Sequence, residues 1–267
     1  MSRLSFSVVV NTYNRGQMLR YALASLVRLR HPLYEVIVVN GPSTDNTETV
    51  LADFRQRIKF GRCPEANLSK SRNIGIAMAA GDIVAFIDDD ATAEPNWLCE
   101  LEPAYADPSV CAVGGFTRDH TGYGFQWKYM VCDWFANGQS FDSPEQAGLN
   151  DHLAPNGFLY PSGVNSSFRR SALLEVGGFD EYYAYLCDES DLTARLIERG
   201  YSVRCTPGAQ VHHRFAASHI RSPDNVPRSF SAQSRSRGYF VARHAMPRMP
   251  TKDVMASRAK WLSEHLE

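Results

Sequence analysis

The sequence has no long hydrophobic run and no strong excess of charge. No apolar stretch reaches the roughly 18 residues that a membrane-spanning helix needs, and no basic-then-apolar signal peptide precedes the first predicted strand. The formal net charge is -1, which gives no electrostatic case for binding nucleic acid. We therefore expect a cytoplasmic protein with no nucleic-acid partner, and peripheral contact with the inner face of the membrane stays open.

Closely spaced cysteines are also missing. The 6 cysteines are scattered over 267 residues, and none forms a Cys-x-x-Cys pair. Their spacing argues against the common zinc and redox motifs and fits reduced thiols. With 44% hydrophobic and 21% charged residues, the composition is that of an ordinary globular protein, long enough for one large α/β domain.

The stretch Ile83–Asp90 joins five apolar residues to three successive carboxylates, Asp88, Asp89 and Asp90. An ionised carboxylate is costly to bury without a counter-charge, so we expect a buried strand with the acidic triplet at its end. Ligands of open α/β sheets bind at the carboxyl ends of the strands. A hard divalent cation with phosphates would relieve the repulsion within the triplet. The alternative is a solvated acidic turn.

Apolar strands and helical periodicity alternate in the first third of the chain, with strands at Ser5–Val10, Glu35–Val39 and Ile83–Asp90. This alternation predicts an α/β fold with a mostly parallel sheet and helices on both faces. Residues 117–159 show no clear period, and we expect a long loop with a short helix around Trp127–Trp134. Short strands are expected on either side of Pro207-Gly208.

Six stretches together resemble one known family. They are Val8–Arg15, Val38–Asp45, Asn67–Gly75, Gly81–Asp90, Gly177–Glu181 and Asp188–Leu196. In this order they are similar to the family 2 glycosyltransferases of the GT-A fold, which has a Rossmann-like sheet. The resemblance covers roughly residues 5–215 and implies transfer of a sugar from a nucleotide diphosphate donor to an acceptor hydroxyl, with inversion.

The resemblance implies a divalent cation, Mn²⁺ or Mg²⁺, at the acidic triplet. Asp90 is the first candidate for direct metal ligation, Asp88 is assigned to the metal and to the ribose or sugar side, and Asp89 takes either role. GT-A enzymes often supply a third metal ligand where His213 stands, with His212 as the neighbouring candidate. The alternative for both histidines is a structural role.

In the family, the turns after the first two strands hold the nucleoside. Thr12, Tyr13, Asn14 and Arg15 match the first turn, and Asn40 replaces the acidic residue that commonly binds the base. An amide offers both a donor and an acceptor, so uracil is the first choice and other bases stay open. The expected donor is a UDP-sugar, with GDP and dTDP as alternatives.

Asp188, Glu189 and Asp191 match the acidic motif of the family, in which the second acid is usually the base. Glu189 is therefore the predicted base that deprotonates the acceptor hydroxyl. The alternative is a capping cluster, because acids in a first turn stabilise any helix. Arg72 is placed on a helix that faces the nucleotide and is expected to neutralise a phosphate, and the alternative is a solvated residue of that helix.

The acceptor side is predicted from Trp97, Trp127 and Asp180. Aromatic residues of the 117–159 region either stack on sugar faces or form a small core. A glycan, a lipid-linked sugar or a small molecule fits as the acceptor. The basic tail has four open roles: it closes over the diphosphate, meets an anionic acceptor, touches a membrane surface or forms the arm of a homodimer.

We divide the chain into a glycosyltransferase domain, 1–217, and a C-terminal basic and helical extension, 218–267. The domain comprises a nucleotide-binding half, 1–117, and an acceptor half, 118–217. Two other functions stay open at this point. One is a nucleotidyltransferase, and the other is a non-catalytic relative that binds nucleotide sugars or glycans.

Overall fold

The computed structural model describes residues 3–183, 186–217, 222 and 230–266 of the chain. The strands are β1 (Phe6–Thr12), β2 (Tyr34–Asn40), β3 (Lys59–Arg62), β4 (Ile83–Asp88), β5 (Ala91–Ala93), β6 (Val110–Arg118), β7 (Phe125–Trp127), β8 (Tyr129–Asp133), β9 (Gly138–Phe141), β10 (Leu153–Ala154), β11 (Gly157–Leu159), β12 (Asn165–Arg169) and β13 (Ser202–His213). The α-helices are α1 (Gly16–Leu26), α2 (Thr47–Phe54), α3 (Leu68–Met78), α4 (Trp97–Leu101), α5 (Arg170–Glu175), α6 (Asp188–Glu198), α7 (Phe230–Phe240) and α8 (Thr251–Leu266). A 3₁₀ turn at Glu102–Ala106 follows α4, and a π-helical turn at Val241–Ala245 follows α7.

The main sheet has 9 strands in the order β3-β2-β1-β4-β12-β6-β13-β5, with β7 paired to β6. Strands β3, β2, β1 and β4 are parallel. Strand β12 lies antiparallel between β4 and β6, and β13 returns parallel to β6. The predicted α/β fold is confirmed, and its sheet combines the parallel strands β3, β2, β1 and β4 with antiparallel pairings of β12 to β4 and β6 and of β5 to β13.

Two hydrophobic cores cover the two faces of the sheet. Val8 of β1 packs with Leu19 and Leu23 of α1 on one face, and Val9 packs with Ile76 of α3 on the other. Each fully buried side chain of this size contributes about 1.5–3 kcal/mol. The carboxyl ends of β1 and β4 lie side by side because the two strands are parallel neighbours, with Asn11 in register with Asp88.

Helix α3 approaches the sheet closely because Gly75 has no side chain. A Cβ at this position would lie 2.5 Å from Val9 Cγ1. Asn67 caps the helix, since its Oδ1 accepts a hydrogen bond of 3.0 Å from the backbone N–H of Lys70. This placement sets Arg72, which is buried, against the end of the sheet.

The region 117–159 is not a long loop with a helix at Trp127–Trp134, and that prediction is wrong. Strand β8 pairs with β9 and β11, and β10 completes a second, 4-stranded antiparallel sheet. The periodicity of a short apolar run does not distinguish a strand from a helix. Strand β11, which pairs with β8, is remote in sequence, so no local pattern reveals the pairing. The residues around Pro207-Gly208 similarly form one strand, β13, with a register irregularity between Thr206 and Gln210.

The described part of the C-terminal extension packs on this second sheet. Phe240 of α7 joins Cys132 and Phe158 in one buried cluster, and Val254 of α8 packs near Trp134 in another. Apart from Ser222, residues 218–229 at the start of the predicted basic tail lie outside the described residues. In the ranges that are described, no helix is both long enough and apolar enough to cross a membrane.

Asp191 ties helix α6 to the π-helical turn after α7. Its carboxylate is fully buried, bonds to His244 Nε2 at 2.9 Å and accepts a hydrogen bond of 2.8 Å from Arg195 Nε. Burial alone raises the pKa of Asp191, but the hydrogen bond from His244 and the charges of Arg195 and Arg243 more than offset this, and the pKa is lowered. The ionised carboxylate is therefore part of the folded core.

Replacing Asp191 with Asn is expected to lower the free energy of unfolding by about 3–5 kcal/mol at pH 7, because buried cations lose their partner. The pKa in the folded state lies below the unfolded value of about 3.9, so the carboxylate stabilises the fold above that pH. This contribution is lost as the pH falls through the pKa of the folded state. The Tm of the variant should therefore fall less on acidification than the Tm of the wild type. Thermal unfolding from pH 7 downward measures both effects.

Asp53→Asn is the matched control, because Asp53 forms an exposed pair with Arg20 at 2.6 Å. Such a surface pair contributes at most about 1 kcal/mol. Equal unfolding free energies and equal acid profiles for the two variants would contradict the structural role of Asp191.

Candidate active site

A cavity of 340 Å³ opens at the carboxyl ends of β1 and β4. Ten of the residues predicted from the sequence line it. They are Thr12, Tyr13, Arg15, Arg72, Asp88, Asp89, Trp127, Asp188, Glu189 and His213. Its volume lies within the range of about 300–1,000 Å³ that is typical of small-molecule sites.

Asp89 is held by the first turn. Its carboxylate accepts hydrogen bonds from Thr12 Oγ1 at 2.8 Å and from Arg15 Nη1 at 2.9 Å. Burial raises the pKa of Asp89 to about 7, although the charge of Arg15 lowers it. Asp89 thus fixes the turn that borders the cavity, and its oxygens are used by protein partners.

Asp88, Asp90 and His213 form a cluster of another kind, in which one ligand atom of each lies within 4.8 Å of the others. Asp90 Oδ1 and His213 Nε2 are 3.2 Å apart, yet neither atom makes a hydrogen bond of good geometry with the described residues. His213 Nδ1 bonds to Gln126 Oε1 at 2.8 Å. In the tautomer with the proton on Nδ1, which donates to Gln126, the Nε2 lone pair of His213 would face the carboxylates.

The charges of this cluster favour a cation. Burial and the charge of Asp90 raise the pKa of Asp88, although the charges of His213 and Arg72 oppose this. Burial also acts to raise the pKa of Asp90, but His213 and Arg15 more than offset it and lower that pKa to about 2. Carboxylate oxygens and an imidazole nitrogen suit Mn²⁺, and the carboxylates suit Mg²⁺. The residues present therefore fit the predicted divalent cation.

His212 lies outside this cluster, and its prediction as a metal ligand is corrected. Its Nε2 lies 2.6 Å from Glu94 Oε1. Successive side chains of a strand point to opposite faces, so β13 directs His213 into the cluster and His212 away from it.

Glu189 and Asp188 begin helix α6 and share one cation, Arg72. Arg72 Nη1 donates to Glu189 Oε1 at 2.8 Å and also to Asp188 Oδ2. Burial and the charge of Glu189 raise the pKa of Asp188 well above its usual range. Burial acts to raise the pKa of Glu189 too, but the Arg72 charge and the hydrogen bond from Asp188 more than offset this and lower it. Glu189 is therefore the ionised member of the pair.

Gly163 lies directly against this carboxylate. A Cβ at position 163 would overlap Glu189 Oε1 and would lie 2.7 Å from Arg72 Nη2. Gly163, Tyr160 and Gln126 belong to the site but were not identified from the sequence. They lie in or beside short irregular segments, where no periodic pattern points to them.

Asn14 and Asn40 join the two turns and are absent from the cavity lining. Asn14 Oδ1 accepts a hydrogen bond of 2.7 Å from the backbone N–H of Thr44. Asn40 is buried, with its Nδ2 donating to Glu48 Oε1 at 2.9 Å and its Oδ1 accepting from Ser43 Oγ at 2.7 Å. Both groups of the Asn40 amide are therefore bonded within the protein.

Three further predicted site residues lie away from the cavity. Trp97 is fully buried and donates its indole N–H to Asn165 Oδ1 at 2.8 Å, so it has no surface for an acceptor. Asp191 is the buried structural carboxylate described above, and its predicted catalytic role is corrected. Asp180 accepts a hydrogen bond of 2.9 Å from Tyr239 Oη and is paired with Arg243, outside the cavity lining.

Comparison with known proteins identifies the family. The model described as "Glycosyl transferase family 2" matches residues 7–177. Glucosyl-dolichyl phosphate glucuronosyltransferase of Haloferax volcanii is 34% identical over 235 residues, which cover 79% of this chain and 69% of that protein. Chondroitin synthase of Escherichia coli is 28% identical over 235 residues, covering 78% of this chain and 34% of that protein. The chain thus spans only about a third of the length of the chondroitin synthase.

A solved structure shows the same fold. GalNAc-T7, crystallised with UDP, GalNAc and Mn²⁺, superimposes with a TM-score of 0.67 at 17% identity, covering 99% of this chain and 55% of that chain. The core of the fold is therefore of the GT-A type.

Replacing Arg72 with Met is expected to lower the free energy of unfolding by about 3–5 kcal/mol, because two carboxylates lose their shared cation. Combining this change with Asp188→Asn removes one of the two carboxylates and should recover part of the loss. Urea unfolding at neutral pH measures both variants.

Arg20→Met serves as the control, because the exposed Arg20–Asp53 pair should contribute no more than about 1 kcal/mol. If Arg72→Met unfolds at the same urea concentration as this control, Arg72 does not neutralise the pair.

Proposed function

The chain belongs to glycosyl transferase family 2, and from this premise we propose a metal-dependent, inverting transfer of a sugar from a nucleotide diphosphate-sugar to an acceptor hydroxyl. The observation that carries the proposal is the convergence of two groups on one cavity. The Asp88–Asp90–His213 cluster fits a divalent cation, and the ionised Glu189 is held by Arg72.

The donor side is assigned to the carboxyl ends of β1 and β4. Asp88, Asp90 and His213 would hold Mn²⁺ or Mg²⁺, which as a Lewis acid stabilises the negative charge of the departing nucleotide diphosphate. The GT-A-type structure of GalNAc-T7, solved with UDP and Mn²⁺, supports UDP as the first choice. GDP and dTDP are the alternatives, since both groups of the Asn40 amide are already bonded.

Glu189 is assigned the role of general base. It takes the proton of the acceptor hydroxyl while that oxygen bonds to the anomeric carbon of the donor. The bond from this carbon to the diphosphate breaks on the opposite side, and its electron pair leaves with the nucleotide diphosphate. Attack opposite the leaving group inverts the anomeric configuration. Arg72 keeps Glu189 ionised, and Gly163 leaves the space that its carboxylate occupies.

The acceptor is proposed to be a hydroxyl of a glycan, a lipid-linked sugar or a small molecule. The name of the Haloferax volcanii relative refers to a dolichyl-phosphate-linked sugar, which favours the second class. In this proposal residues 1–117 bind the donor and residues 118–217 face the acceptor. Residues 218–267 are assigned to an extension, whose described helices α7 and α8 pack on the second sheet.

Replacing His213 with Gln is expected to weaken Mn²⁺ binding in the presence of UDP by at least about 100-fold. Replacing Gln126 with Ala should weaken Mn²⁺ binding by about 10–100-fold, because hydrogen-bond partners of this kind orient the metal-binding imidazole. Electron paramagnetic resonance of free Mn²⁺ measures both. His212→Gln is the matched control and should bind Mn²⁺ like the wild type. Unchanged Mn²⁺ affinity in His213→Gln would remove this residue from the metal site.

Replacing Glu189 with Gln is expected to lower sugar transfer about 10²–10⁴-fold, because the base is lost, while UDP binding persists. The assay incubates the protein and Mn²⁺ with UDP-, GDP- and dTDP-sugars and measures release of the nucleoside diphosphate. Nuclear magnetic resonance of the product should show the opposite anomeric configuration to the donor.

The control for this experiment is Glu175→Gln, which changes a carboxylate outside the cavity lining that bonds to Tyr201 Oη at 2.6 Å. It should retain full activity. Release of pyrophosphate would instead indicate a nucleotidyltransferase, and binding of nucleotide sugars without turnover would indicate a non-catalytic protein.

A further inference from the structure

A second cavity, of 430 Å³, adjoins the first. Tyr160, Leu186 and Glu189 line both. The candidate base therefore stands between two spaces, one beside the cation cluster and one away from it. A cavity of this size accommodates a small organic ligand.

The walls of the second cavity come from two parts of the chain. Asn137 and Gly138 belong to the second sheet and the turn before it, whereas Gln233, Arg237 and Trp261 belong to helices α7 and α8. The C-terminal extension therefore closes a space that the glycosyltransferase domain leaves open beside Glu189.

Two polar groups of this cavity suit a hydroxyl-bearing ligand. Gln233 Oε1 is buried and has no hydrogen-bond partner within the described part of the chain. A buried acceptor of this kind is costly unless a ligand or water bonds to it. The Tyr160 hydroxyl is close to Gly138, where an added Cβ would lie 2.8 Å from it. Burial raises the pKa of Tyr160 well above its usual range, so the hydroxyl stays protonated and can donate.

The charges of the cavity favour a neutral ligand. Arg237 donates to the backbone carbonyl of Ala136 at 2.7 Å and to Asn137 Oδ1, so its guanidinium is engaged by the protein. Glu189 contributes a negative charge. An anionic ligand would be repelled by the Glu189 carboxylate. It would gain little from Arg237, because that guanidinium already bonds to the protein.

We propose that the second cavity is an acceptor subsite for a neutral, hydroxyl-rich ring such as a pyranose. One ring hydroxyl meets Glu189, and others bond to Gln233 Oε1 and the Tyr160 hydroxyl. The inference rests on the proposed function, because it assigns Glu189 to the acceptor hydroxyl. In this arrangement the C-terminal extension contributes directly to acceptor binding through Gln233.

Saturation-transfer nuclear magnetic resonance tests this subsite on the full chain. The probes are the methyl glycopyranosides of glucose, galactose and mannose, with UDP and Mg²⁺ present. At least one methyl glycoside should receive saturation from the wild-type protein. Gln233→Leu, which keeps the size and removes the amide, should weaken binding about tenfold. Gln233→Trp, which fills the cavity, should abolish the glycoside signal.

The control is Met255→Trp, which adds a tryptophan to α8 at a side chain that is 62% exposed. It should bind the methyl glycoside like the wild type. The UDP signal should be equal in all four proteins, which shows that each variant is folded and that the donor cavity is intact.

An unchanged glycoside signal in Gln233→Trp would overturn the inference. So would the absence of any glycoside signal from a wild-type protein that binds UDP, and in both cases the proposed function would stand. Failure to bind UDP and to turn over any nucleotide sugar would instead overturn the proposed function itself.

Discussion

The structure depends on the balance of charge around one cavity. Five carboxylates crowd there, and most of them are buried. They are Asp88, Asp89, Asp90, Asp188 and Glu189. Arg15 pairs with Asp89 and Asp90, and Arg72 bonds to the two acids of helix α6. Two arginines do not balance five acids, so burial and the neighbouring carboxylates raise the pKa of Asp188 and of Asp88, and the Asp88–Asp90 corner favours a cation.

The scaffold places these charges through close backbone approaches. Asn11 of β1 is in register with Asp88 of β4, so the first turn and the acidic triplet leave the sheet side by side. Gly75 lets α3 lie against β1, and Gly163 lets the chain pass the Glu189 carboxylate. Side chains at the two glycines would displace the elements that carry Arg72 and Glu189, the proposed base. The two glycines thus determine both how closely these elements pack and where their charged side chains lie.

The sequence predicts the features whose causes are local. Buried strands and an acidic strand end follow from hydrophobicity and the cost of burying charge, and the family motif points to Glu189. The side of a helix or strand to which a given side chain points is harder to infer from the sequence. Asp191 is two residues from Glu189, a rotation of about 200° on a helix, which directs it to the opposite side. His212 and His213 differ by one position on a strand, which reverses the side chain. The contact of Gln126 with His213 joins distant segments, so no local window contains it.

Helix α6 is held from two directions. Arg72 of α3 reaches its first turn, and His244, from the turn that follows α7, bonds to Asp191. The C-terminal extension that includes this turn supplies Gln233 to the second cavity. The described contacts of Asp90 and His213 come from the glycosyltransferase domain instead. The proposed donor-side chemistry should therefore persist when the extension is perturbed, whereas the proposed base and the proposed acceptor subsite both depend on it.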